Sequence, residues 1–189
     1  MIIKLLGHFK YSVVLLCLVF VNVHQIKAQE NYRPGYVIIK VGDTLYGKIS
    51  DRRTGPFGGI HDKIKFSGKG RKKRFSPNKI LSYRKGDSVY RSFLLDGEAT
   101  FLRVVSEGPV SLYKYELQEQ GEEMVLDIAY LKKESNHELV RADQGIFGLK
   151  RQRLIQFFQD CPPLAEKIRR KEFKYPHQLV DYYNEWIKK

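Results

Sequence analysis

The densest group of chemically active side chains in this sequence is a basic run that contains Lys69, Arg71, Lys72, Lys73 and Arg74. Like charges gathered this closely repel one another, so folding alone gives little reason to place five within six positions. Such a group can neutralise the phosphates or carboxylates of a polyanion. Lysines also protect exposed sheet edges from pairing with other chains. The run therefore predicts a polyanion-binding site, with a solvated sheet edge as the alternative.

Cys161 is the residue with intrinsic redox or nucleophilic chemistry. It precedes Pro162 at the start of a predicted helix, where the helix dipole would favour a thiolate. A cysteine hydrolase would also need a histidine base within reach, and His177 is the nearest histidine in sequence. The alternative is a small buried residue that packs between helices. Cys161 is therefore a redox candidate.

Familiar catalytic and metal-binding motifs are absent from the sequence. It contains no Gly-x-Ser-x-Gly and no His-Glu-x-x-His motif, and the Gly68-Lys69-Gly70 stretch lacks the Ser or Thr of a phosphate loop. The histidines beyond the N-terminal segment, His61, His137 and His177, are far apart, whereas a zinc site needs three or four converging ligands. We therefore expect no catalytic residue, no metal and no cofactor.

An aromatic stripe at helical spacing lies near the C-terminus and consists of Tyr182, Tyr183 and Trp186. Exposed aromatic side chains of this kind could dock a partner protein or stack on a sugar. Aromatic residues at helical spacing more often belong to a core. The stripe is therefore a partner-interface candidate, with core packing as the alternative.

The spacing of hydrophobic residues changes along the chain from that of strands to that of helices. Between residues 29 and 145, short segments rich in β-branched and aromatic residues alternate with glycine-containing turns, which predicts a β-rich domain. The turns at 41–44 and 68–70 each indicate a hairpin. Strands at this spacing predict an antiparallel meander that is open or curled into a roll or barrel.

The segment 146–189 has a helical period. Leu154 and Phe158 are four residues apart, Pro162 can open a second helix, and Pro176 a third. We expect these three helices to pack on the β-rich domain. The fold class predicted from the sequence is therefore α+β.

The N-terminus has the pattern of a secretory signal peptide. Lys4 and Lys10 precede a run of thirteen uncharged residues at 11–23, and a polar stretch follows this run. Thirteen helical residues reach about 20 Å, short of the ~30 Å hydrocarbon layer, so an uncleaved anchor is the less favoured alternative. We predict that residues 1–28 are removed before Gln29. The protein would then reach the periplasm, the cell envelope or the extracellular space.

Composition narrows the class of protein. The chain has 189 residues, of which 42% are hydrophobic and 13% aromatic, which excludes disorder, collagen and a polytopic membrane protein. Its formal net charge is +13, and residues 48–85 carry thirteen basic side chains against two acidic ones. Its two cysteines cannot build a disulfide framework, which favours a bacterial envelope protein over a small eukaryotic secreted domain.

Four segments of the sequence carry a resemblance to a known group. They are GDTLYGKI at 42–49, SEGPVSLYKYE at 106–116, DCPPLAEKI at 160–168 and VDYYNEW at 180–186. The chain resembles uncharacterised exported proteins of Bacteroidota-type bacteria, which have a signal peptide, a β-rich body, a Cys-x-x-Leu element and C-terminal helices. The resemblance implies an envelope location and no established activity.

Three functions remain compatible with these observations. The first is a non-enzymatic exported envelope protein whose basic surface serves binding or structure. The second is a subunit of an envelope complex that docks a partner through its C-terminal helices. The third is an enzyme that acts on glycans, which a polar cleft with two facing carboxylates would favour. The expected partners are an anionic envelope polymer, the membrane surface or another envelope protein, and no nucleic acid is expected.

Overall fold

The computed structural model describes residues 32–51, 63–118, 125–136, 138–143 and 148–188. The predicted signal peptide, His61, His137 and the predicted boundary between β-rich and helical parts lie outside these residues. No helix in the described ranges has the length and apolar character needed to cross a membrane.

Within the described residues, ten antiparallel strands form one sheet in the order β10-β9-β8-β7-β6-β5-β1-β2-β3-β4. The strands are β1 Arg33–Ile39, β2 Thr44–Asp51, β3 Ile64–Gly68, β4 Arg71–Phe75, β5 Ile80–Lys85, β6 Ser88–Leu95, β7 Glu98–Ser106, β8 Val110–Gln118, β9 Val125–Lys133 and β10 Val140–Arg141. The edge strands β4 and β10 do not pair with each other among the described residues, so the sheet is open.

Three helices follow the sheet in the range 148–188: α1 Arg151–Phe157, α2 Pro162–Arg169 and α3 Pro176–Trp186. Pro162 and Pro176 begin the second and third helices because the first helical turn needs no amide hydrogen from them. The predicted α+β class, with an antiparallel meander followed by three helices, is confirmed.

The sheet curls across the five neighbouring strands β5-β1-β2-β3-β4. The two outer strands of this group, β5 and β4, are connected in sequence by only the four residues 76–79. In a flat sheet β4 and β5 would be four strand spacings apart, about 19 Å. Five Cα–Cα steps reach at most about 18 Å, and a 3-10 turn at Pro77–Lys79 shortens them. The sheet must therefore coil to bring these strands together.

Two hydrophobic clusters of the described residues lie on one face of this sheet, which we call the inner face. Direct cross-strand partners share a face, and the register links Val37 to Tyr83, Tyr90, Arg103, Lys114 and Ala129 in one row. The first cluster fills the curled part and contains Val37, Ile49, Ile64, Phe66, Ile80, Tyr83, Tyr90 and Phe101. The second lies between β8, β9 and the helices, where Leu112 and Leu131 meet Leu154 and Leu179.

Asn184 connects α3 to the start of β8. Its side-chain amide donates to the carbonyl of Val110, and the Val110 amide donates back to its Oδ1, both at 2.8 Å. A Cβ atom on Gly108 would lie 2.7 Å from the Asn184 Nδ2, so only glycine leaves room for this contact. The segments 106–116 and 180–186 therefore meet at this point.

Candidate functional site

The structure places the basic run on the hairpin formed by β3 and β4. Lys69 and Gly70 connect the strands, with φ of 47° and 73°. Positive φ at both central residues is the geometry of the two-residue type I′ hairpin turn. Among the described residues, β4 is one of the two edge strands of the sheet, and its four cations, Arg71, Lys72, Lys73 and Arg74, are all exposed.

The cations of this hairpin divide between the two faces of the sheet. Lys73 is the direct partner of Phe66 and Arg71 that of Gly68, so both lie on the inner face. Lys72 and Arg74 alternate with them and lie on the outer face. Because side chains alternate between the two faces of a strand, the sequence alone would predict this division of Arg71 and Lys73 from Lys72 and Arg74.

A groove of about 490 Å³ opens beside the inner-face cations. It is lined by Thr44, Leu45, Tyr46, Phe66, Gly68, Lys69, Arg71 and Lys73. Leu45 and Phe66 supply an apolar floor, and the three cations lie along its rim. Sequence reasoning identified the rim and missed the floor, because β2 and β3 are brought together only by the sheet register.

The floor depends on two glycines. A Cβ atom on Gly47 or on Gly68 would lie 2.8 or 2.7 Å from the nearest ring carbon of Phe66. The ring can therefore occupy the space beside Gly47 and Gly68 only because these positions lack side chains. The ring also contacts Phe75 edge to face, with ring centroids 5.9 Å apart.

The charge of the hairpin is not compensated within the described residues. None of its five cations makes a hydrogen bond or an ion pair there. Cations elsewhere in the fold do so: Lys114 pairs with Asp127 at 2.7 Å, and Lys167 with Glu172 at 2.5 Å. On the outer face, exposed Lys48 and Lys72 flank Ser67 in the same cross-strand row. The edge therefore carries a local excess of positive charge.

Comparison with protein-family models, curated proteins and solved structures gave no match to this chain. The chemistry of the basic hairpin is accordingly inferred from its own residues.

Cys161 lies in the second hydrophobic cluster and is fully buried. Burial raises the pKa of its thiol, so the neutral form is favoured despite the position of the residue before α2. His177 is exposed, and its ring stacks on that of Tyr175 at 5.7 Å. The surroundings of Cys161 are those of a packed core residue, and no activated thiolate is found.

The aromatic stripe faces the interior. Tyr183 is buried in the second cluster, and its hydroxyl donates to Oδ2 of Asp160 at 2.7 Å. Tyr182 and Trp186 are half-buried against the same cluster. The stripe is therefore largely used in packing α3 onto the sheet, and Tyr183 offers no surface to a partner.

Two carboxylates face each other on the inner face, where the hydrophobic clusters meet. Glu116 of β8 is the direct partner of Asp127 of β9. Glu116 is paired with Arg103 and accepts a hydrogen bond from Tyr90, whereas Asp127 is paired with Lys114. Each carboxylate thus pairs with a different cation, and this is the arrangement of structural ion pairs. Among the residues that the structure describes, no group of three or more His, Cys, Asp or Glu is arranged to hold a metal ion.

Proposed function

We propose that this chain is a non-enzymatic binding protein of the bacterial cell envelope, and that its basic hairpin binds a polyanionic component of that envelope. The observation that carries the proposal is the set of five exposed hairpin cations without a carboxylate partner in the described residues. Edge protection is served by one or two lysines. A set of five, placed beside a groove, supplies the charge that phosphates or carboxylates require.

The location is supported by the N-terminal pattern and by the resemblance to exported proteins. This location is tested by producing the full chain in a bacterium with a secretory pathway and measuring the mass of the exported protein by mass spectrometry. We expect a chain that begins at Gln29. A protein that retains Met1 would argue against export through a cleaved signal peptide.

Binding is tested through its salt dependence. Each neutralised phosphate of a dense polyelectrolyte releases condensed counterions, so affinity falls as salt rises. Five contacts with duplex DNA would give a log–log slope of about −4.5, and a sparser polymer gives a smaller value. Polyphosphate and alginate, as phosphate and carboxylate probes, would be titrated at two salt concentrations.

Two variants with the same loss of charge separate the hairpin from the rest of the surface. In the hairpin variant, glutamine replaces Arg71, Lys72, Lys73 and Arg74. In the control, glutamine replaces four exposed cations of the helical segment, Arg169, Arg170, Lys174 and Lys188. We expect the hairpin variant to lose most of the salt-dependent affinity and the control to retain it. Equal losses would show that net charge alone attracts the polymer, and the proposal would fail. Both variants should melt close to the parent, since exposed charges contribute little to stability.

A further inference from the structure

We propose that the groove between β2 and the basic hairpin binds a lipid with a phosphate head group. The acyl chain would lie on Leu45 and Phe66, and the phosphate would be held by Arg71, Lys73 and Lys69. This inference rests on the proposed function, because the same hairpin supplies the cations, and it names the class of ligand.

The apolar floor is the first reason to choose a lipid. The groove has about 490 Å³, within the range of roughly 300–1,000 Å³ that small-molecule sites occupy. A purely polar anion, such as free phosphate, would contact the cations and leave the exposed part of Leu45 in water, above the buried ring of Phe66. An acyl chain removes that surface from water, which is favourable in proportion to its area.

The placement of the cations is the second reason. Arg71 and Lys73 lie on the same face as Phe66, with Lys73 directly opposite the ring across the strand pair. The guanidinium and ammonium groups of these two residues can therefore bind the phosphate of a lipid while its acyl chain lies on the floor of the groove. The guanidinium of Arg71 offers paired donors that match two phosphate oxygens. A neutral lipid would leave these charges without a partner, so the groove is complementary to an anionic amphiphile.

The adjoining turn supports access from a membrane surface. Val41, in the turn between β1 and β2, is 87% exposed, and Tyr46 of β2, whose side chain lies on the outer face, is 75% exposed. Strand β2 passes from this turn into the groove within a few residues. Apolar and aromatic side chains beside cations are the composition of surfaces that approach anionic bilayers.

The test uses two double variants of the full chain that have identical composition changes. R71Q/K73Q removes one Arg and one Lys from the inner face, and K72Q/R74Q removes the same two residue types from the outer face. The probes are dodecyl phosphate below its micelle concentration, inorganic phosphate, and dodecyl maltoside, which has the same chain with a neutral head. Binding is measured by titration calorimetry, and each variant is checked by thermal melting.

We expect dodecyl phosphate to bind one molecule per chain and at least about tenfold more tightly than either other probe, since charge-assisted hydrogen bonds and apolar burial act together. R71Q/K73Q should weaken this binding at least about tenfold, and K72Q/R74Q should change it less than about twofold. Equal weakening by both variants would overturn the groove as the site and leave polyanion binding intact. Equal affinity for inorganic and dodecyl phosphate would overturn the lipid. Unchanged binding of dodecyl phosphate and polyphosphate in both variants would overturn both proposals.

Discussion

The ammonium group of Lys133 in β9 lies 2.6 Å from Oδ1 of Asp160, which sits between α1 and α2. The same group lies 5.0 Å from the ring centre of Phe157 in α1 and 5.1 Å from that of Tyr183 in α3. The Lys133 side chain is only 12% exposed. One strand residue therefore touches α1, α3 and the segment that leads into α2, which fixes the helical layer on the sheet.

The first prediction concerns the stability that this lysine provides. Replacing Lys133 with Met should lower the free energy of unfolding by about 1–2 kcal/mol, between the values for exposed and buried ion pairs. Urea denaturation measures the change. Lys132→Met is the matched control, since the neighbouring side chain points to the other face of the strand and should change stability by less than about 0.5 kcal/mol. Equal effects of the two substitutions would contradict the role of Lys133.

The second prediction is the acid dependence of the same contact. Burial raises the pKa of Asp160, but hydrogen bonds from Lys133 and Tyr183 outweigh it, and the net pKa is lowered. A carboxylate with a lowered folded-state pKa contributes stability above its unfolded pKa, and loses it as pH falls through the folded value. The free energy of unfolding should therefore decrease below about pH 4, near the unfolded pKa of Asp. The decrease should be shallower in Lys133→Met, and identical slopes in the two proteins would contradict this.

The third prediction concerns the contact between α3 and β8. Asn184→Ala leaves the amide and carbonyl of Val110 without their side-chain partner, which should cost about 1–3 kcal/mol. Gly108→Ala should also destabilise the protein, because the new methyl group meets the Asn184 amide. In a double-mutant cycle, Gly108→Ala should lower the free energy of unfolding much less in the Asn184→Ala background than in the parent. Strictly additive effects would show that the two positions act independently.

Lys69 gives the fourth prediction. It adopts a left-handed conformation, φ 47°, at a turn position where Asn, Asp or Gly is favoured. Lys69→Asn should therefore raise the free energy of unfolding by about 0.5–1 kcal/mol while weakening polyphosphate binding. Lys188→Asn removes the same charge outside the hairpin and should change neither property. A Lys69→Asn variant that binds polyphosphate as tightly as the parent would contradict a role for this residue.

The sequence predicts the parts of the fold that depend on local chemistry. Glycines at turns mark the hairpins, and Gly42 and Gly70 do have positive φ, 98° and 73°. Proline marks the starts of α2 and α3. The pairing of β5 with β1 could not be predicted, because it depends on contacts between distant segments and on the curl of the sheet.

The candidate site divides in the same way. The basic run is visible in the sequence because its residues are neighbours, whereas the floor of Leu45 and Phe66 exists only once β2 pairs with β3. The position of Cys161 before a helix favours a thiolate through the helix dipole. Burial, which the sequence does not show, outweighs it and raises the pKa of the thiol.

The most direct test of the central claim is amide chemical-shift mapping of the ¹⁵N-labelled protein during titration with polyphosphate at low salt. If the basic hairpin is the binding site, the largest shifts will fall on residues 44–48 and 66–74, and they will disappear when glutamine replaces its four strand cations. Shifts spread evenly over the surface, or concentrated in the helical segment 162–188, would contradict the claim.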